Sequence, residues 1–332
     1  MKRILVTGAS GLLGLTISAT AAQAVAGHQL GGEQLFGEVG PYEVWGGLRH
    51  EQLAVPAAAD GQASQALFCP VYGDLTQAGQ IERMFDQAQP EVVFHCAAMT
   101  EVDRCEAYPA DAELVNAAVP RAIARIAARR GAKLVQISTD AVFDGQYGEY
   151  DENDGTNPLN AYGLSKLHGE QAVAEENPDA LIARVNFYGW SWQGRRSLAE
   201  FFYNQLAAGR VVDGFSDIVF SPLLVNDLAL ILLHMADRGL SGLYHVTSSE
   251  SQSKFAFGRM LARQFGFDER LIRPASYKTA NLRAPRARQL SLSSAKLAQA
   301  LGRRLPGQAE SMAGFHALFV QGYRERLQKL FL

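Results

Sequence analysis

Short apolar runs alternate with longer helical stretches over the first 185 residues of the chain. Such runs are typical of strands buried on both faces, whereas the longer stretches have the length of helices. Strands are predicted at 3–7, 43–48, 67–72, 92–96, 133–138 and 180–185, and helices up to about residue 26 and at 77–87, 112–130 and 160–175. This β-α-β-α order predicts an α/β fold, with a doubly wound parallel sheet that carries helices on both faces.

The second half of the chain follows a less regular pattern. Helices are predicted at 198–208, 225–236 and 253–265, with one strand at 242–246. We divide the chain into a sheet domain, 1–183 plus about 223–247, and a smaller lobe, 184–222 and 248–332. We expect the lobe to cover the carboxyl edge of the sheet, where ligands of parallel sheets bind.

Composition excludes several classes of protein. The 332 residues are 48% hydrophobic and 20% charged, which is the balance of an ordinary globular protein. A formal net charge of −3 provides no basic surface, so no nucleic-acid partner is expected. The sequence contains no run of eighteen apolar residues, and a membrane span is therefore not expected either.

The cysteines and the N-terminus bear on location. Cys69, Cys96 and Cys105 are too few for a disulfide framework, and a reducing cytoplasm suits them best. The first 26 residues superficially resemble a secretory signal, because basic residues precede a mostly apolar segment. Glycines interrupt that segment, which is better explained by a strand, a turn and a helix. An intact, cytoplasmic protein is therefore expected.

A glycine-rich turn, Thr7-Gly8-Ala9-Ser10-Gly11-Leu12-Leu13-Gly14, joins the first predicted strand to its helix. Glycines at this bend let the backbone approach a diphosphate, and the helix N-terminus supplies free N–H groups. The residues expected to contact a dinucleotide here are Gly8, Ser10, Gly11, Leu12, Leu13 and Gly14. The alternative is a tight turn that binds no ligand.

Residues after the next strands bear on the choice of cofactor. Arg49, after the second strand, favours the 2′-phosphate of NADP, although it could equally be a solvated surface residue and NAD stays possible. Asp74 and Leu75, after the third strand, are expected at the adenine edge. Ala97 and Ala98, after the fourth strand, would leave room for the dinucleotide.

Three residues form a candidate catalytic group. Tyr162 and Lys166 lie four residues apart on a predicted helix and so share one face. An adjacent ammonium is expected to lower the phenol pKa, which lets the tyrosine exchange a proton near neutral pH. Thr139, at the end of the fifth strand, could bind a substrate carbonyl. A solvated helix pair and a threonine that caps a strand are the structural alternatives.

Other chemistries find no support. The sequence has neither a Gly-x-Ser-x-Gly elbow nor a GxxxxGK phosphate loop, which argues against hydrolase and P-loop chemistry. His95 and Cys96 have no partners at zinc spacing, so we expect a core histidine and no metal.

Several motifs together resemble an extended short-chain dehydrogenase/reductase, specifically the dTDP-4-dehydrorhamnose reductase family. The pair STDAVFDG and PLNAYGLSKLHGE is highly specific for that family, and the similarity spans nearly the whole chain. The matching segments are TGASGLLG (7–14), GDLT (73–76), AAMTEVDRCE (97–106), VN (115–116), STDAVFDG (138–145), PLNAYGLSKLHGE (158–170), SPLLVNDLA (221–229) and a degraded RARQLSL (286–292).

The resemblance implies a Rossmann-type doubly wound sheet with a smaller α/β substrate-binding lobe. A homodimer is left open, because the sequence does not give the oligomeric state. The implied reaction is NAD(P)H-dependent reduction of a 4-keto nucleotide sugar. Tyr162 would protonate the oxygen, Thr139 would bind it, and Lys166 would hold the nicotinamide ribose. The residues implied to line the substrate site are Thr100, Asp140 and Phe187.

The chain departs from the family pattern at four positions. Ala141 stands where an aromatic residue is common, and Phe187 stands near a usual tryptophan, which would alter the sugar pocket. Ala287 and Gln289 replace a proline and an asparagine of the C-terminal signature. Two other functions stay open. One is a nucleotide-sugar epimerase or dehydratase, and the other is a non-catalytic regulatory subunit similar to the methionine adenosyltransferase β-subunit.

Overall fold

Seven parallel strands form the main sheet of the computed structural model, which describes residues 1–26, 42–49, 68–279 and 283–329. Numbered in chain order, they stand in the order β11-β6-β5-β4-β1-β2-β3. Their bounds are β1 Lys2–Thr7, β2 Tyr42–Leu48, β3 Phe68–Tyr72, β4 Val92–His95, β5 Lys133–Thr139, β6 Leu181–Val185 and β11 Gly242–Val246. The predicted fold class is confirmed, and each predicted strand lies within one residue of its described bounds; position 67 is outside the described residues.

Successive side chains of each strand point to opposite faces of the sheet, and both faces are covered by an apolar cluster. In β1, Ile4 and Val6 belong to an apolar cluster on one face, whereas Leu5 belongs to a cluster on the other. Strand order reverses between β1 and β4, because the chain continues outward through β2 and β3 before it returns to β4. Such a reversal opens a crevice at the carboxyl ends of the strands.

Among the described residues, six α-helices lie between β1 and β6, and a seventh lies between β6 and β11. They are α1 Leu12–Ala26, α2 Gln80–Ala88, α3 Val102–Ala107, α4 Pro109–Glu113, α5 Val119–Arg130, α6 Ala161–Glu176 and α8 Val225–Asp237. The prediction of one continuous helix at 112–130 is wrong, because a π-helical turn, Leu114–Ala118, separates α4 from α5. Pro120 has no N–H to donate to the carbonyl of Asn116, four residues earlier, so the regular hydrogen-bond ladder cannot continue there.

The smaller lobe has its own aromatic core. Trp190, Phe202, Phe257 and Phe315 are buried together, and the Trp190 indole N–H donates to the Phe315 carbonyl at 3.1 Å. The remaining elements are β7 Phe187–Tyr188, β8 Val212–Phe215, β9 Val219–Phe220, β10 Leu223–Leu224, β12 Gln252–Ser253, β13 Ile272–Ala275, β14 Gln289–Leu290, α7 Leu198–Ala207, α9 Lys254–Phe265, α10 Ala295–Leu301, α11 Gln308–Val320 and α12 Tyr323–Lys329.

The boundary between sheet domain and lobe stays a proposal. Leu297 and Leu301 of α10, assigned to the lobe from sequence, pack in the same apolar cluster as Ile4 of β1. Within the described residues, no helix combines the length and the apolar character that crossing a bilayer requires.

Candidate active site

A cleft of about 760 Å³ lies along the carboxyl edge of the main sheet, where the strand order reverses. All the residues proposed from sequence for cofactor or substrate line this one cleft. They are Gly8, Ser10, Gly11, Leu12, Leu13, Gly14, Arg49, Asp74, Leu75, Ala97, Ala98, Thr100, Thr139, Asp140, Tyr162, Lys166 and Phe187. The positions of these residues agree with the proposed site, and their individual roles stay proposals.

The glycine turn brings three segments of backbone unusually close. Gly8 has φ +68°, and a Cβ atom there would lie 2.7 Å from the Ala97 nitrogen. A Cβ at Gly14 would lie 2.3 Å from the Gly8 carbonyl oxygen. Side chains at these positions would therefore collide with the backbone, and only glycine allows the end of β1, the start of α1 and the segment at Ala97 to approach so closely. The turn leads into the α1 N-terminus, whose free N–H groups suit a phosphate group.

Gly8→Ala is expected to destabilise the protein and to weaken dinucleotide binding. Alanine at this positive φ costs about 1–2 kcal/mol, and the clash with the Ala97 backbone adds about 1–3 kcal/mol. The free energy of unfolding, from denaturant titration, should fall by the sum of these terms, and NADPH affinity should fall at least about tenfold, or 1.4 kcal/mol.

Gly79→Ala is the matched control for this substitution. Gly79 has a similar φ of +74°, but nothing lies within 4 Å of its added Cβ. We expect the free energy of unfolding to fall only by the conformational cost of about 1–2 kcal/mol. The affinity for NADPH should be unchanged. Equal effects of the two substitutions on NADPH affinity would contradict the close approach at the glycine turn.

Arg49 and Asp74 form one ion pair at the far end of the cleft. An Arg49 Nη2 donates to Asp74 Oδ2 at 2.9 Å, and the Asp74 carboxylate also accepts from the Thr76 hydroxyl at 2.7 Å. The Thr76 hydrogen bonds, assisted by Arg49, hold the pKa of Asp74 below its usual value. The Arg49 side chain is 68% exposed, so the pair is weak and the guanidinium is free to reach a phosphate.

The start of α6 positions Tyr162 beside the end of β5. Asn160 caps the helix, accepting a hydrogen bond from the Gly163 N–H at 2.9 Å. Gly163 itself packs on the Ala141 carbonyl, since an added Cβ would lie 2.2 Å from that oxygen. The close approach brings the Tyr162 phenol near enough to the Thr139 hydroxyl for that hydroxyl to lower the phenol pKa.

Burial dominates the electrostatics of the catalytic group. It raises the pKa of Tyr162 to about 12, against a smaller lowering by the Thr139 hydrogen bond. The predicted lowering of this pKa by Lys166 is wrong for this structure. The Lys166 ammonium instead donates to the Ile137 carbonyl at 2.6 Å. Tyr162 is therefore a neutral phenol near pH 7, the form that can donate a proton.

Lys166 is also strongly buried, at 4% exposure. Burial lowers its pKa to about 8, and the neighbouring carboxylate of Glu170 opposes that shift. Lys166 and Glu170 lie one helical turn apart on α6, so the same helix face carries the ammonium and its counter-charge.

The Asp140 carboxylate fixes the orientation of the Thr139 hydroxyl through a hydrogen bond. Thr139 Oγ1 donates to Asp140 Oδ1 at 3.0 Å, and the Asn186 amide donates to the other carboxylate oxygen. Burial raises the pKa of Asp140, with partial compensation from these two hydrogen bonds and from the Lys254 charge. The arrangement fixes Thr139 at the end of β5, facing the cleft.

Several residues at or near this cleft were not proposed as site residues from the sequence, among them four with amide or guanidinium side chains. Asn116, in the π-helical turn, accepts from the Met99 N–H at 2.9 Å and donates to the Ser165 hydroxyl at 3.1 Å. The other three line the cleft itself: Asn186, Gln193 and Arg196. Asn186 follows the predicted strand 180–185 and could have been found by the strand-end rule, whereas nothing in the sequence pattern singles out the other two.

A second cavity, of about 110 Å³, adjoins the first and shares Asp140 and Asn186 with it. Lys254 and Arg286 also line it. Two of the positions at which the chain departs from the family pattern lie in this lining, namely Ala141 and Ala287. These small residues therefore leave space next to Asp140.

The parallel sheet, the glycine turn at its reversal point and the tyrosine–lysine pair in one cleft define a short-chain dehydrogenase/reductase. The chain belongs to the RmlD substrate binding domain family, whose model matches residues 1–319. The family resemblance expected from the motifs is thus confirmed.

Individual proteins extend this relationship. The chain is 37% identical over 262 residues to a dTDP-4-dehydrorhamnose reductase of Mycobacterium tuberculosis, covering 77% of this chain and 84% of that protein. A crystal structure of dTDP-4-dehydrorhamnose reductase from Bacillus anthracis, in complex with NADP, matches with a TM-score of 0.77 and 26% identity, covering 97% of this chain and 100% of that one. Methionine adenosyltransferase 2 subunit beta of Xenopus tropicalis is 31% identical over 222 residues, covering 61% of this chain and 63% of that protein.

Proposed function

We propose that the protein reduces the keto group of a nucleotide-linked 4-keto sugar, with NADP(H) as the favoured cofactor and NAD(H) possible. It is an NAD(P)-dependent oxidoreductase of the dTDP-4-dehydrorhamnose reductase type. One observation carries the proposal: Thr139, Tyr162 and Lys166 line the same cleft as the glycine turn. One site would therefore contain the proton donor, the residue that binds the carbonyl and the turn that binds the dinucleotide.

The residues present fit a nicotinamide dinucleotide. Gly8, Gly11 and Gly14 line the cleft at the α1 N-terminus, whose free N–H groups suit a diphosphate. Arg49 would pair with the 2′-phosphate that distinguishes NADP from NAD. Lys166 would hold the nicotinamide ribose, since it lines the same cleft as the glycine turn. When bound, NADPH supplies the hydride that reduces the carbonyl carbon.

The side chains supply the proton and hold the carbonyl. The Thr139 hydroxyl has one hydrogen, which it donates to Asp140 in this structure. With a ketone bound, it would turn to donate that hydrogen to the keto oxygen and orient this oxygen toward Tyr162. Tyr162 then donates its phenolic proton to that oxygen, so that the ketone becomes a secondary alcohol. Thr100, Asp140 and Phe187 line the space in which the sugar ring would lie.

The test is consumption of NADPH or NADH by the purified protein across a panel of dTDP-linked and other nucleotide-linked 4-keto sugars. We expect one equivalent of NADPH to be oxidised for each ketone reduced, and a higher rate with NADPH than with NADH. Sugar conversion without net change in nicotinamide absorbance would contradict the proposal and favour an epimerase or a dehydratase.

A non-catalytic regulatory role is the other competing function. Against it stands the intact group of Thr139, Tyr162 and Lys166, which a protein that only binds the cofactor does not need. Absence of ketone reduction, together with a protein partner recovered by affinity purification, would favour this alternative.

Two further proposals concern the whole molecule. A cytoplasmic location is supported by the three free cysteines, two partly exposed and one buried. A homodimer is the second proposal, and sedimentation of the purified protein would test it.

A further inference from the structure

One segment of the smaller lobe reaches across to the glycine turn of the sheet. We call residues 189–197, which run from the end of β7 to the start of α7, the strap. The indole N–H of Trp192 donates to the Ser10 carbonyl at 3.1 Å, which fastens the strap to the turn. Gln193 and Arg196 of the strap line the large cleft.

A buried carboxylate holds the strap in shape. Glu200, with 0% exposure, accepts from the backbone N–H groups of Ser191 at 2.7 Å, Arg196 at 2.7 Å and Ser197 at 3.1 Å. The Ser197 hydroxyl also donates to the Gly189 carbonyl at 2.7 Å, which ties the two ends together. The backbone that carries Arg196 is thus fixed by charge-assisted hydrogen bonds.

The Arg196 guanidinium has no counter-ion in the part of the chain that the structure describes. The side chain is exposed, and no carboxylate of the described residues lies within ion-pair distance of it. The first turn of α1, across the cleft, contains no acidic residue. An unpaired guanidinium and an open helix N-terminus therefore share one cleft, and both favour a phosphate group.

We infer that Arg196 binds the diphosphate of the dinucleotide from the lobe side, and that the strap positions it there. The inference rests on the proposed function, since it assumes that a nicotinamide dinucleotide occupies the cleft. A diphosphate is also part of a nucleotide sugar. The Trp192–Ser10 hydrogen bond favours the dinucleotide, because it places the strap at the glycine turn.

The test compares Arg196→Ala with a matched neighbour, Arg195→Ala. Arg195 is exposed as well but does not line the cleft. Each protein is titrated with NADPH and with NADH, and binding is followed by nicotinamide fluorescence. We expect Arg196→Ala to weaken both cofactors by the same factor, about tenfold. Arg195→Ala should stay within about twofold of the unchanged protein.

Arg49→Ala separates the two phosphate contacts in the same experiment. NADPH and NADH share the diphosphate, whereas only NADPH has the 2′-phosphate. Arg49→Ala should therefore weaken NADPH and leave NADH unchanged, in contrast to the equal effect at Arg196.

Trp192→Phe tests the strap as a positioning device. The ring is kept and the hydrogen bond to Ser10 is lost, so both cofactors should bind about threefold more weakly, in proportion to one net hydrogen bond. The KM for each cofactor should rise by that factor, whereas kcat at saturating cofactor should be unchanged. A purely structural role would instead change the unfolding transition without this KM shift.

Three results would overturn the inference. The first is unchanged affinity of Arg196→Ala for both cofactors. The second is a raised KM for the nucleotide sugar with unchanged cofactor affinity, which would assign Arg196 to the diphosphate of the sugar nucleotide. Both leave the proposed function intact. The third is failure of the unsubstituted protein to bind either cofactor, which would overturn the proposed function as well.

Discussion

Tyr162→Phe should lower kcat for ketone reduction by about 100- to 10,000-fold, the usual contribution of a positioned proton donor. The phenol is the acid that protonates the reduced oxygen, and phenylalanine preserves the ring while removing that proton. The Kd for NADPH should change by no more than about twofold, because the ring still packs in the cleft. Single-turnover oxidation of NADPH and equilibrium titration measure the two quantities separately.

Tyr147→Phe is the control for this experiment. The side chain of Tyr147 is 83% exposed and does not line the cleft, so both kcat and Kd should stay unchanged. Undiminished hydride transfer in Tyr162→Phe would refute the assignment of Tyr162 as the acid. The assignment of the glycine turn to the dinucleotide would remain, since it depends on the Kd.

Arg184→Met should destabilise the protein by about 3–5 kcal/mol, because it leaves a buried carboxylate without its partner. Arg184 and Glu170 are 4% and 7% exposed, and their closest atoms are 2.7 Å apart. Glu170 also accepts from the hydroxyl of Ser138, the residue that precedes Thr139 in β5. The Arg184 guanidinium stacks 4.9 Å from the centre of the Phe143 ring. Denaturant titration of both proteins measures this decrease in the free energy of unfolding.

Two comparisons make this prediction specific. The double variant Arg184→Met with Glu170→Leu removes both charges of the pair and should recover part of the lost stability. The recovery is incomplete because Lys166 then loses its neighbouring carboxylate. Arg270→Met breaks an exposed pair with Asp268, in which the arginine is 90% exposed, and should have no measurable effect. Similar losses for Arg184→Met and Arg270→Met would show that the buried pair contributes no more than a surface pair.

The main sheet and most of the cleft could be predicted from sequence because they follow from local patterns. Buried parallel strands are continuous apolar runs, and the residues that follow them reach one edge of the sheet. Gly8, Arg49, Asp74, Ala97 and Thr139 were found in this way, and all line the cleft. The rule works because topology alone brings strand ends together.

The remaining features depend on tertiary contacts. The π-helical turn is stabilised by hydrogen bonds between Asn116 and Met99, 17 residues apart in the chain. The raised pKa of Tyr162 comes from burial, which the four-residue spacing to Lys166 does not reveal. The strap has no regular secondary structure, and Glu200 holds the backbone beside Arg196 through hydrogen bonds from three backbone N–H groups.

The lining of the second cavity can change without any change to the proposed catalytic residues. Ala141 and Ala287 line it, but Thr139, Tyr162 and Lys166 do not. Larger side chains at those two positions would reduce the space beside Asp140, whereas Tyr162 and Lys166 would stay in place. If the proposed sugar site is correct, such changes would alter which sugar fits there. A lineage could in this way exchange one natural substrate for another through a few substitutions, each tolerated by the chemistry it already performs.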